Sequence, residues 1–161
     1  MGSLVDKVSK NPNMVISPLF YDHDLDCKTG VKARRNTFLK FIFGTDEEGT
    51  LGTGHVSKTG LAIRPSSFED RDFIPSDWLP GGCMAYSKKF SSIDAEIENP
   101  IGKFYGEDII NSFIMKKKGA ELYFATKASV KTEFVSSLDI RDAVSHFKSM
   151  VFIQKITHGR T

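Results

Sequence analysis

Alternating carboxylates make the first candidate site in this chain. Asp22-His23-Asp24-Leu25-Asp26-Cys27 sets acids beside an imidazole and a thiol, donor types able to wrap a cation. A calcium loop of the EF-hand type, counted from Asp22, requires Gly at its sixth position and Glu at its twelfth. Those positions hold Cys27 and Ala33, so the stretch reads as a solvated turn and no metal is assigned. Gly52-Thr53-Gly54-His55-Val56-Ser57-Lys58-Thr59 resembles a phosphate loop with Ser57 in place of its second glycine. Such a loop must present backbone amides and then a helix N-terminus to the phosphates. Here Gly60 to Arg64-Pro65 follows, strand-like and ending at a proline, so a hairpin turn is expected and no cofactor is assigned.

Nucleophilic catalysis would need Cys27 or Cys83 beside one of His23, His55, His146 or His158. Cys83 follows Gly81-Gly82, which leaves room for a substrate, and is the better thiol. Spacing brings no histidine to either cysteine, and His146 falls at the boundary of an apolar helical face. The acidic clusters at 46–48 and 69–72 sit in loops and read as solvated. No catalytic residue is assigned, and a small enzyme with a Cys or His active site stands as the third functional alternative.

Two kinds of surface carry the stronger expectations. Basic clusters at Lys32, Arg34 and Arg35, at Lys88 and Lys89, and at Lys116, Lys117 and Lys118 would bind RNA phosphates or acidic lipid heads if the fold gathered them on one side. Whether they share a face is open, and the last cluster already has a reason to end a helix, whose C-terminus favours cations. Apolar residues in irregular chain are the second kind. Met14, Ile16, Leu19 and Phe20 lie in an extended strap; Phe68, Phe73, Ile74, Trp78 and Leu79 lie in a Pro- and Gly-rich loop over 64–82. Apolar loop tips are costly unless they pack on their own domain or on a partner. Packing on the core is the ordinary outcome and docking the functional one.

The elements holding these residues follow from hydrophobic period. Asn36 to Phe43 is apolar on both faces and reads as a central strand. His55 to Ile63 reads as a strand broken by Gly60, with further strands at Cys83 to Ser87 and Ser91 to Glu98. Glu107 to Lys118 is predicted as a helix, with Ile109, Ile110, Phe113 and Ile114 on one face and Gly119 as its stop. Strands over 120–127 and 129–135 are joined by a turn at Lys127-Ala128. The last helix turns Ile140, Ala143, Val144 and Phe147 inward, and Val151 to Ile156 alternates as a closing strand. The sum is an α+β fold: a mostly antiparallel or mixed sheet of about six to seven strands, with two helices at about 107–118 and 138–150. Residues 1–13 form a flexible N-terminal arm, 14–157 a single α+β domain and 158–161 a short tail.

At 161 residues, 40% hydrophobic and 26% charged, the chain is sized and composed for one globular domain and lies outside the disordered class. A net charge of +2 is too small by itself to imply a nucleic acid or a membrane. Cys27 and Cys83, far apart and without metal spacing, suit reduced thiols in a cytoplasmic or nuclear protein, although a pairing between them stays open. No apolar run approaches bilayer length, so a soluble protein with at most peripheral membrane contact is expected.

Ser129 to Ser136, Leu138 to Met150 and Val151 to Ile156 read strand, helix, strand. In that element order and in size the chain resembles the matrix proteins of rhabdoviruses, especially smaller plant-infecting ones. The resemblance implies an α+β protein that self-associates and bridges a nucleocapsid to a membrane; no site residue is carried over, and no Pro-rich late-domain motif is present. The leading expectation is therefore a non-enzymatic structural or interaction protein. It would form homo-oligomers or dock a protein partner through the arm at 1–20 and the loop at 64–82. The alternative is a small module that binds RNA or an acidic membrane surface through the basic clusters.

Overall fold

The computed structural model describes residues 4–22, 54–57, 60, 62–63, 71–91, 106–132 and 143–158. In chain order the elements are helix α1 (Leu4–Lys10), strands β1 (Met14–Asp22), β2 (His55–Val56), β3 (Ala62–Ile63) and β4 (Phe73–Pro75), a 3-10 turn at Lys88–Phe90, helix α2 (Glu107–Lys117), strand β5 (Glu121–Thr132) and helix α3 (Ala143–His158).

Two helix-to-strand units organise them. Helix α1 stops where Pro12, lacking an N–H, cannot continue it; Asn11 N–H still reaches Lys7 O at 3.1 Å, and Met14 N–H bonds Asn11 O at 2.9 Å as β1 begins. Helix α2 has Glu107 and Asp108 in its first turn and Lys116 and Lys117 in its last, both signs matched to the helix dipole. It ends as its sequence predicts. Gly119, at φ +85°, donates to Lys116 O at 2.9 Å, and Ala120 donates to Met115 O at 2.9 Å, the paired bonds of a left-handed helix stop.

Strands β1 and β5 then run parallel from Met14 opposite Glu121, and β4 pairs antiparallel on the other side, giving the order β1-β5-β4. The register slips once: Pro18 lies opposite Ala125, but Leu19 lies opposite Ser129. Residues 126–128 bulge out at that slip, held by Thr126 N–H to Asp72 O at 3.1 Å and by a Lys127–Asp72 ion pair at 2.6 Å. The outer edge of β1 is bridged by Ala85, which exchanges both backbone bonds with Ile16 at 2.8 and 2.9 Å. Strands β2 and β3 form a separate antiparallel ribbon.

The mixed α+β class stands, but the expected count does not. Among the described residues there is a three-stranded mixed sheet with the small β2–β3 ribbon, and there are three α-helices. Within residues 1–13, Leu4–Lys10 forms helix α1, whose Val8 is buried. In place of the expected pair of strands at 120–127 and 129–135, the described residues form one strand, Glu121–Thr132, because the chain after Lys127-Ala128 rejoins the same partner β1 instead of turning back. The segment at 151–156 is helical, a continuation of α3 to His158. Its short apolar run suits either period; burial of Ser149 and Ile153 with exposure of Gln154 and Lys155 shows the helical one. The inward face is accordingly not the expected one: Phe147 is 66% exposed. At 83–87 only the Ala85 bridge forms, and the Lys88–Phe90 turn follows. The strand expected at 36–43, and residues 92–98 of the one expected at 91–98, lie outside the described residues.

Side chains alternate across the sheet. Val15, Leu19, Leu122 and Phe124 share a buried cluster with Leu79, Phe90, Met115 and Ala120. On the opposite face Ile16 and Ala125 meet Val8 of α1. Helix α3 joins through Ile153, which packs with Trp78, Ile109 and Ile110, while the Trp78 ring stands edge-on to Phe124 at 6.3 Å.

Candidate functional site

The structure spends the expected docking residues on its own core. Ile16 and Leu79 are 0% exposed, and Leu19, Phe20, Ile74 and Trp78 are buried as well. Met14 and Phe73 pack half-buried against the Val8 cluster. Phe73 and Ile74 belong to β4, so the second half of the loop at 64–82 is sheet and core, not a free tip. Its polar backbone is served from inside. Ser76 Oγ donates to Trp78 O at 2.6 Å and accepts Trp78 N–H at 3.3 Å, and Ser112 Oγ accepts Leu79 N–H at 2.9 Å. Phe68 lies outside the described residues.

The Lys88-Lys89 cluster and Lys118, the last residue of the third cluster, lie at the same end of the β1–β5 pair. The parallel pairing of β1 and β5 forces the helices before them to end at the same edge of the sheet. Lys10 closes α1 there, and Lys116 to Lys118 close α2. The Lys88–Phe90 turn is tied to the same edge by Ser87 Oγ donating to Pro12 O at 2.8 Å and Lys89 Nζ donating to Asn13 Oδ1 at 2.6 Å. Asn13 O in turn accepts Glu121 N–H at 2.9 Å, three residues beyond Lys118. Phe90, 1% exposed, anchors the turn among Met115 and Ala120. Lys10, Lys88, Lys89 and Lys118 are all exposed along this edge, with Tyr86 at 37% exposure two residues before Lys88. Glu121, which opens β5, accepts the Tyr123 hydroxyl at 3.2 Å. Lys32, Arg34 and Arg35 lie outside the described residues.

Lys116 and Lys117 turn to a different feature. A cleft of about 410 Å³ opens between α2, β2 and the end of α3, lined by Val56, Asp77, Ile109, Phe113, Lys116, Lys117 and Thr157. Lys116 forms an ion pair with Asp77, and the Lys117 ammonium sits 4.8 Å from the Phe113 ring centroid. Positions 109, 113, 116 and 117 recur at helical spacing, which is why one face of α2 supplies most of the wall. Asp77 and Thr157 have no sequence signal linking them to it; only the fold brings them in.

Of the remaining chemical candidates, Cys83 and His55 show no catalytic partner among the described residues. Cys83 is a half-buried free thiol whose carbonyl oxygen accepts Ser17 Oγ at 3.1 Å. His55 lies in β2 with both ring nitrogens buried and without a hydrogen-bond partner among the described residues. The phosphate-loop reading fails where it can be followed: Gly54 bridges Ser76, and His55-Val56 enters the ribbon, so no helix N-terminus follows. His146 and His158 belong to α3, and His23 and Cys27 lie outside the described residues. Among the described residues no group of three or more His, Cys, Asp or Glu is placed to hold a metal, and no helix is long and apolar enough to cross a membrane.

No family model matches the chain, and no curated protein or solved structure matches it either. The element order on which the likeness to rhabdovirus matrix proteins rests also differs, since its closing strand is the last turns of α3.

Proposed function

We propose that the protein is a non-enzymatic interaction module that holds a single-stranded nucleic acid along its lysine-rich edge. The observation that carries this reading is the Asn13 junction. One residue holds Lys89 through its side chain and the start of β5 through its carbonyl oxygen, so clusters far apart in sequence become one edge. A cationic edge binds phosphates by releasing counterions, without reading sequence. Tyr86 favours nucleic acid over a lipid surface: a half-exposed ring beside lysines offers a base a stacking platform. Lipid insertion would call for exposed aliphatic side chains at this edge, and the large exposed hydrophobics among the described residues are Val5, Tyr86 and Phe147. Self-assembly through Met14–Phe20 and Phe73–Leu79 has less support, because Ile16, Leu19, Phe20, Ile74, Trp78 and Leu79 are buried within the chain.

The test is anisotropy of a labelled oligouridine titrated with protein over a range of salt. Binding that weakens steeply with salt is expected, and each of Lys88→Gln, Lys89→Gln and Lys118→Gln should flatten the log–log slope by about 0.7. Tyr86→Ala should cost about 1–3 kcal/mol at constant slope. Absence of binding at low salt, or slopes indifferent to these lysines, would refute the reading. Capture by phosphatidylserine vesicles without oligouridine binding would reassign the same edge to a membrane.

A further inference from the structure

We infer that the cleft beside α2 is a small-molecule site, separate from the lysine edge, that takes an amphipathic monoanion: a carboxylate on a short hydrocarbon body. Its size falls within the range of about 300–1,000 Å³ usual for ligand pockets. The floor is hydrocarbon, from Val56, Ile109 and Phe113. Of the charges at the mouth, Asp77 and Lys116 neutralise one another in an ion pair. Lys117 is left as the cation that decides the sign of the site: among the described residues no carboxylate pairs with it, and its ammonium rests against the Phe113 face. An apolar floor ending under one uncompensated ammonium fits an anionic head with an apolar tail. A neutral apolar ligand would leave Lys117 without a partner as water is displaced, and a dianion would exceed the charge the mouth supplies. Thr157 already donates to Ile153 O at 2.9 Å, so its hydroxyl can only accept, and the ammonium remains the donor aimed at the head group.

Octanoate and 1-octanol, matched in length and differing in charge, are the probes. Isothermal titration of the full chain should show saturable one-to-one binding of octanoate and much weaker binding of octanol. Lys117→Gln, on an exposed residue, should lower octanoate affinity roughly tenfold, and Lys117→Arg should retain it. Lys88→Gln should leave octanoate binding unchanged while weakening oligouridine, which keeps this proposal distinguishable from the one above. Equal affinities for octanoate and octanol, indifference to Lys117→Gln, or no saturable binding by the folded protein would each overturn it.

Discussion

Ser112 on α2 and Leu79 face each other across the core, 33 residues apart, with the Leu79 N–H donating to Ser112 Oγ at 2.9 Å. Both are essentially inaccessible, at 1% and 0% exposure. The serine is what allows an irregular segment to lie inside the protein, since a buried amide without a partner is costly. Ser112→Ala should therefore destabilise the fold by about 1–3 kcal/mol, read as a lower urea midpoint at unchanged slope. A variant as stable as the parent would mean that the amide finds another acceptor.

Helix α3 passes close to the backbone at Gly60. A Cβ built there would lie 2.6 Å from Met150 O, a backbone atom that cannot swing away, and Gly60 also has φ +82°. Gly119 has a similar φ of +85° but open space around it. The left-handed conformation alone should cost Gly119→Ala about 1–2 kcal/mol. Gly60→Ala should lose that and about 1–3 kcal/mol more for the clash. Paired denaturation curves decide it, and equal losses would place α3 further away.

The inward face of α3 is testable by truncation. Ile153, 2% exposed, packs on Trp78, Ile109 and Ile110, so Ile153→Ala should cost about 2–5 kcal/mol. Phe147→Ser, at the exposed face, should stay within about 0.5 kcal/mol of the parent. Reversed magnitudes would restore the face suggested by the i, i+3, i+4, i+7 pattern of Ile140, Ala143, Val144 and Phe147.

Alkaline stability should report on Tyr123. Burial, and then the neighbouring Glu121 carboxylate, raise its phenol above the ordinary 10.0. The folded state thus holds this proton more tightly than the unfolded chain does. The associated stability is complete below pH 10 and is lost as pH rises through the folded value. Tyr123→Phe should flatten the decline of the thermal midpoint above pH 10, and an unchanged decline would exclude Tyr123 as its source.

Local signals were legible where one segment settles its own structure. Helix α2 carries acids, an apolar face, lysines and a stop glycine in order, and it forms almost as its sequence predicts. The strand after it was legible as extended chain but not as one piece, because Lys127-Ala128 looks like a turn until the partner strand is known. The run at 151–156 misled for a related reason: six residues with apolar groups at both spacings cannot choose a period without the surface they bury against. The lysine edge was half visible. Its clusters stand out in the sequence, whereas their union depends on Asn13, Pro12 and a parallel pairing that no local pattern encodes. The cleft was invisible, since Asp77 and Thr157 meet α2 only through the tertiary fold.

The parallel pairing of β1 with β5 also sets a schedule for synthesis. Met14 must wait for Glu121, so roughly a hundred residues have to be made before the sheet can begin to form. Until then the apolar run of β1 is exposed on the nascent chain with its edge unpaired, a segment prone to misassociation. A chaperone that shields an early extended segment would therefore act on β1, and the yield of folded protein should depend on how fast translation carries the chain past β5.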